Sequence, residues 1–163
     1  MAAVVTSPLV RCRETASAVL AAQAKRLDLV EDRGLIECDY GDWSGSKLAE
    51  LSKHPLWKVV QNQPAAAVFP NGEGLAEMQS RVVRAIRTRD RHLTADAGVG
   101  AVWAAVSHGD LIKAVLADAL GMHLDQFQRR IHREMEWKGV RELLRRQPDR
   151  WPCERGSSHA LRG

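Results

Sequence analysis

Short apolar runs, each closed by a polar turn and followed by a helical pattern, recur along this chain of 163 residues. The first run closes on Ser7-Pro8, and an alanine-rich amphipathic stretch follows to about Leu27. This predicts a strand over Ala2–Ser7, a turn, and a helix over Arg11–Leu27. A second run, Gly100 to Val106, ends on Ser107-His108-Gly109-Asp110 and leads into a helix over Leu111–Leu120, with Gly121 as its stop. Between them lie a short strand near Leu29–Val30 and a helix over Gly74–Leu93. In that helix Leu75, Met78, Val82 and Ile86 recur at helical spacing and form a core stripe. Strands alternating with helices predict an α/β fold around a parallel sheet.

Ligands in open α/β sheets bind at the carboxyl ends of strands, which is where the pattern puts His108. A histidine beside an apolar run also fits a hydrogen-bonded structural role. Arg11 opens the helix after the first strand. If the strands are parallel, its guanidinium points to the same edge, as a planar fork suited to phosphate oxygens. A solvated arginine at a helix start is the other reading. The third element is the loop Leu35 to Gly45, which carries Glu37 together with Tyr40 and Trp43. Buried aromatic neighbours raise a carboxylate's pKa, as a proton donor at neutral pH requires. An Asp/Gly turn with a helix N-cap at Ser44 or Ser46 explains the glycines and serines but not the tryptophan.

Taken jointly and in order, SPLVRCRETA, LIECDYGDWSG, FPNGEGLAEMQSRV (Phe69 to Val83) and VSHGDLIKAVLADALGM (Val106 to Met122) resemble the histidine phosphatase (phosphoglycerate mutase-like) superfamily. The similarity is to its small bacterial phosphatase and phosphomutase branch, and it covers Ala2 to about Ile131. The resemblance implies hydrolysis or transfer of a phosphomonoester through a phosphohistidine. Arg11 would grip the phosphoryl oxygens, Glu37 would protonate the leaving oxygen, and His108 would hydrogen-bond the transferring group. No cofactor is implied, and the three cysteines and six histidines show no metal-ligand spacing.

Relatives carry their nucleophilic histidine in an Arg-His-Gly turn after the first strand, and no Arg-His-Gly occurs in these 163 residues. His54, His92, His123, His132 and His159 lack a strand-turn context, and His108 fills the place of the family's second histidine. The expectation is half of a phosphate pocket with little or no turnover. The family sheet sets the absent strand beside the run Gly100–Val106, between it and a carboxyl-terminal hairpin. The expected fold is therefore a truncated three-layer αβα phosphoglycerate mutase-like domain over 1–131. Its mainly parallel sheet would lack the first strand and the C-terminal hairpin, and a basic tail would follow over 132–163. The exposed edge of the Gly100–Val106 strand would invite self-association.

Charge separates the two parts. Residues 1–128 hold 14 Lys and Arg against 15 Asp and Glu, whereas 129–163 hold 10 against 5. The tail reads either as an arginine-rich arm for nucleic acid or as a translated stretch not selected as the end of this fold. We favour the second, because Trp137, Trp151 and Cys153 fit neither a strand nor an ordinary charged arm, although Met135, Val140, Leu143 and Leu144 allow a short helix over Glu134–Arg146. The loop Gln61–Gly74 borders the substrate in relatives, while Glu73 and Arg81 read as surface residues. No apolar run suits a membrane span or signal peptide, and the cysteines give no disulfide pattern, so a cytoplasmic protein is expected. The expected partner is a small phosphorylated substrate, with nucleic acid disfavoured. The alternative from another class is a noncatalytic phosphoester- or nucleic-acid-binding protein.

Overall fold

The computed structural model describes residues 1–128. The expected tail, the boundary at 131 and the helix over Glu134–Arg146 lie outside the described residues. Three parallel strands, β1 (Val4–Thr6), β2 (Leu29–Glu31) and β3 (Ala104–Val106), form a sheet in the order β2-β1-β3. Val5 stands level with Val30 on one side and with Ala105 on the other. Side chains alternate across a strand, so Val5 faces one layer while Val4 and Thr6 face the other. All three are fully buried, as a central strand covered on both faces requires.

One covering layer is α1 (Val10–Ala21), which lies along β1 and buries Cys12 and Ala16. The other is built from α4 (Leu75–Ala97) and α5 (Gly109–Ala119), which pack against each other. Val5 joins their core with Leu75, Met78, Val82, Leu111 and Ala114, and Ile86 packs at its margin. The expected stripe on the middle helix is therefore the core stripe. Two short helices, α2 (Leu48–Leu51) and α3 (Pro55–Asn62), and four single 3₁₀ turns complete the described part.

Element boundaries differ from the sequence reading for local reasons. Helix α1 stops at Ala21 rather than Leu27, because the chain must turn back and extend to pair Leu29 with Val4. Helix α4 runs on past Leu93 to Ala97 and ends at Gly98, whose φ of +86° breaks the spiral. Gly98 and Gly100 both have positive φ, so no strand starts at Gly100. Pairing to β1 begins at Val102, whose carbonyl accepts from Ala2 N–H at 2.7 Å. Helix α5 ends as expected at Gly121. The Gly121 and Met122 N–H groups donate to the Asp118 and Ala117 carbonyls, a Schellman closure with Gly121 left-handed.

Neither Ser44 nor Ser46 caps a helix, since the residue preceding α2 is Lys47. Trp43 is a core residue, ringed by Phe69, Trp57 and His54.

Candidate active site

Three polar turns leave the same end of the sheet. The first follows β1, where Pro8 breaks the strand and Arg11 falls in the first turn of α1. The second follows β3, where His108 is the N-cap residue of α5 with extended backbone. The third follows β2 and carries Glu37. Ser107 Oγ donates to the Leu35 carbonyl at 2.8 Å, tying the second turn to the third.

Glu37 is held through its neighbours' backbone. Arg81 Nη1 donates to the carbonyls of Gly34 and Ile36, both at 3.0 Å, while Nε and Nη2 grip the two oxygens of Glu73 at 2.8 and 2.7 Å. A bidentate pair of this kind fixes orientation as well as charge. Glu73 and Arg81 are thus a half-buried clamp on the Glu37 segment, which corrects their reading as surface residues. Gly34 lets that segment approach α4 closely, because a Cβ there would collide with Ala85.

Arg11, Glu37 and His108 meet despite their separation in sequence. Arg11 Nη2 lies 3.0 Å from His108 Nδ1 and 3.5 Å from Glu37 Oε2. Glu37 Oε2 lies 3.3 Å from the same Nδ1. On the far side of the ring, His108 Nε2 is 2.8 Å from Ser7 Oγ, and Cys12 Sγ is 3.6 Å from Nε2. His108 is 5% exposed, whereas the Arg11 side chain is 61% exposed. The cluster is therefore a buried imidazole under an exposed guanidinium, open to solvent on the Arg11 side.

Burial raises the Glu37 pKa above the usual carboxylate range. The charge of Asp110 adds to this, while the Cys38 N–H and Arg11 oppose it. Burial also lowers the His108 pKa, and the Arg11 charge lowers it further, so the site favours a neutral imidazole. Burial pushes the Cys38 thiol up to about 12, so it stays protonated.

Asp110, in the first turn of α5, accepts from Tyr40 Oη at 3.0 Å and from Lys113 Nζ at 3.1 Å. Tyr40 and Asp110 also line a cavity of about 320 Å³ walled by Trp43, Trp57 and Phe69. Ser7, Cys12 and the Tyr40–Asp110 pair were not legible as site residues. Their signal was only adjacency to Pro8, Arg11 and His108. Among the described residues, no three His, Cys, Asp or Glu side chains gather as a metal site, and no helix is long and apolar enough to cross a membrane.

The model of the histidine phosphatase superfamily (branch 1) matches residues 1–155, and the chain belongs to that superfamily. It is 38% identical over 125 residues to a bifunctional protein of Mycobacterium tuberculosis, which covers 74% of this chain and 31% of that protein. It is 32% identical over 125 residues to phosphoserine phosphatase 1 of Hydrogenobacter thermophilus, covering 75% of this chain and 56% of that one. The chain thus spans from a little under a third to a little over half of the length of these relatives. Among solved structures, YhfR of Bacillus stearothermophilus superposes with a TM-score of 0.68 at 24% identity, over 79% of this chain and 61% of its own. A mycobacterial glucosyl-3-phosphoglycerate phosphatase in complex with inorganic phosphate gives a TM-score of 0.65 at 22% identity, over 77% and 61%. This chain shares the expected phosphoglycerate mutase-like α/β fold with these structures, and the small open parallel sheet is that of its own described residues.

Proposed function

We propose that the described residues carry the phosphoryl-binding and proton-donating half of a phosphomonoester phosphatase or phosphomutase site. The observation that carries this reading is the meeting of Arg11, Glu37 and His108 within 3.5 Å at one end of the sheet. Arg11 offers a planar, permanently charged donor to phosphoryl oxygens. Glu37, kept protonated to a higher pH than an exposed carboxylate, supplies the proton that a departing alkoxide needs. His108 hydrogen-bonds the transferring group. The likeness to phosphoserine phosphatase 1 supports the chemistry at the level of class. In this reading the aromatic-walled cavity beside Tyr40 and Asp110 takes the apolar part of a small phosphorylated substrate.

In this reading the covalent step falls to a histidine on a strand paired with the side of β3 that has no neighbouring strand among the described residues, in the Arg-His-Gly turn that these 163 residues do not contain. The 163-residue chain alone then binds phosphate but turns over p-nitrophenyl phosphate little or not at all. The same chain joined to a strand bearing Arg-His-Gly gains turnover that Glu37→Gln lowers by about 10²-fold or more. Turnover by the 163 residues alone, with acid-labile phosphate on His108, would overturn this division of labour. Tight phosphate binding with no turnover in the extended chain would favour the noncatalytic phosphoester-binding reading.

A further inference from the structure

The two nitrogens of His108 face opposite surroundings, and the partners on each side fix which one carries the proton. Arg11 Nη2 lies 3.0 Å from Nδ1, and a guanidinium only donates. Nδ1 is therefore the acceptor, and the proton of the neutral ring sits on Nε2; Glu37 Oε2, 3.3 Å from the same Nδ1, fits this arrangement when its carboxyl carries the proton, the form that burial favours. That N–H points at Ser7 Oγ, 2.8 Å away. Cys12 Sγ, at 3.8 Å from Nδ1 and 3.6 Å from Nε2, lies nearly equidistant from both and donates to the Ser107 carbonyl, so it does not select either nitrogen.

Ser7 is well placed to act on the ring. It is fully buried, and its N–H is bonded at 2.9 Å to the Val106 carbonyl, two residues before His108. Its backbone is thus fixed beside the His108 turn by the β1–β3 ladder, and its Oγ also accepts from the Leu9 N–H at 3.4 Å.

We propose that Ser7 is a positioning residue of the phosphoryl site: by accepting the Nε2 proton of His108, it reserves Nδ1 as the nitrogen that faces Arg11, Glu37 and an incoming oxyanion. An oxyanion brought against a bare Nδ1 meets lone pair against lone pair. Nδ1 therefore takes up one proton, either from solvent or from the acidic hydroxyl of a phosphate monoanion. It then donates that proton to the anion, while Nε2 keeps its own proton on Ser7. The ring becomes an imidazolium with both N–H groups used, and Arg11 moves its donors from the ring to the anion. Glu37 is the other titrating group at Nδ1. The inference rests on the reading that this site binds phosphoryl groups.

The test is histidine-selective ¹⁵N NMR of the full 163-residue chain, with and without saturating inorganic phosphate. In the free protein the Nε2–H tautomer of His108 is expected, and with phosphate both nitrogens should be protonated. Ser7→Ala should lose the single tautomer and weaken phosphate binding by about tenfold, whereas Ser7→Thr, which restores the hydroxyl, should return both to near the original values. A free protein with the proton on Nδ1 would overturn the inference, as would Ser7→Ala with unchanged tautomer and affinity. If phosphate shifts no signal of His108, the phosphoryl-site reading fails instead, and the free-state tautomer still decides whether Ser7 sets the ring.

Discussion

Strands β1 and β3 both end at the candidate site, yet they are held very differently. All three residues of β1 are buried, with β2 and β3 as neighbours and helices on both faces. Among the described residues β3 is an edge strand: Ala105 is exposed, Ala104 and Val106 are half-covered, and nearby Val102 is 65% exposed. The half of the site that leaves β1, with Ser7 and Arg11, therefore rests on close packing. The half that leaves β3, with His108, rests on the ladder to β1, the Ser107 bond to Leu35, and the bond from the Trp103 indole to Asp90 at 3.0 Å. An edge strand presents unpaired backbone N–H and C=O groups, so among the described residues the outer side of β3 is where this sheet can accept another strand.

Matched truncations sharpen this contrast most. Val5→Ala removes two methyl groups from the packed core and is expected to cost about 2–3 kcal/mol. Val106→Ala, at the half-covered edge, should cost about 1 kcal/mol or less. Equal losses in urea denaturation of the two variants would show that β3 is as well packed as β1.

A smaller effect lies in the pH dependence of stability. The folded pKa of His108 is depressed by burial and by Arg11, so the unfolded chain binds a proton that the folded chain resists. Its contribution is complete above the unfolded value of 6.5 and is lost as pH falls through it toward the lower folded value. Glu37 acts in the opposite sense. Its raised pKa favours the folded state in acid, and that contribution is lost as pH rises through the folded value. His108→Gln should therefore flatten the fall in melting temperature below about pH 6.5. An unchanged slope would mean that the imidazole is not held neutral.

The smallest effect on stability belongs to the edge itself. We propose that β3 pairs with a second copy when no other strand covers it. Ala105→Lys should shift the melt by less than about 0.5 kcal/mol while reducing concentration-dependent association in sedimentation velocity. Monodisperse monomer in both proteins, with slow amide exchange along 102–106, would show that the edge is already covered.

The difference between the strands also explains what could be read from the sequence. The apolar runs ending in Ser7-Pro8 and Ser107-His108-Gly109 marked both site turns, because a strand's end and a helix's start each leave a local signature. The stripe Leu75, Met78, Val82 and Ile86 was legible for the same reason. Arg81 was not, because its partners lie in a loop and in the segment after β2, and no periodicity records a contact made across a turn. Ser7 looked like punctuation before Pro8, since its role depends on the β1–β3 register that places it against His108. Helix α3 starts on a local signal, His54 as N-cap and Pro55 in the first turn, but its eight residues leave little periodicity to read. The extra length expected of α1 came from its alanines, and tertiary pairing of β2 overrode that propensity.

The convergence of Arg11, Glu37 and His108 into a phosphoryl-binding site is tested most directly by calorimetric titration with inorganic phosphate. The 163-residue protein should bind phosphate saturably at one site. Arg11→Ala should weaken that binding by about tenfold or more with little change in melting temperature, because the Arg11 side chain is mostly exposed. Phosphate binding of equal strength in the two proteins, or none in either, would contradict it.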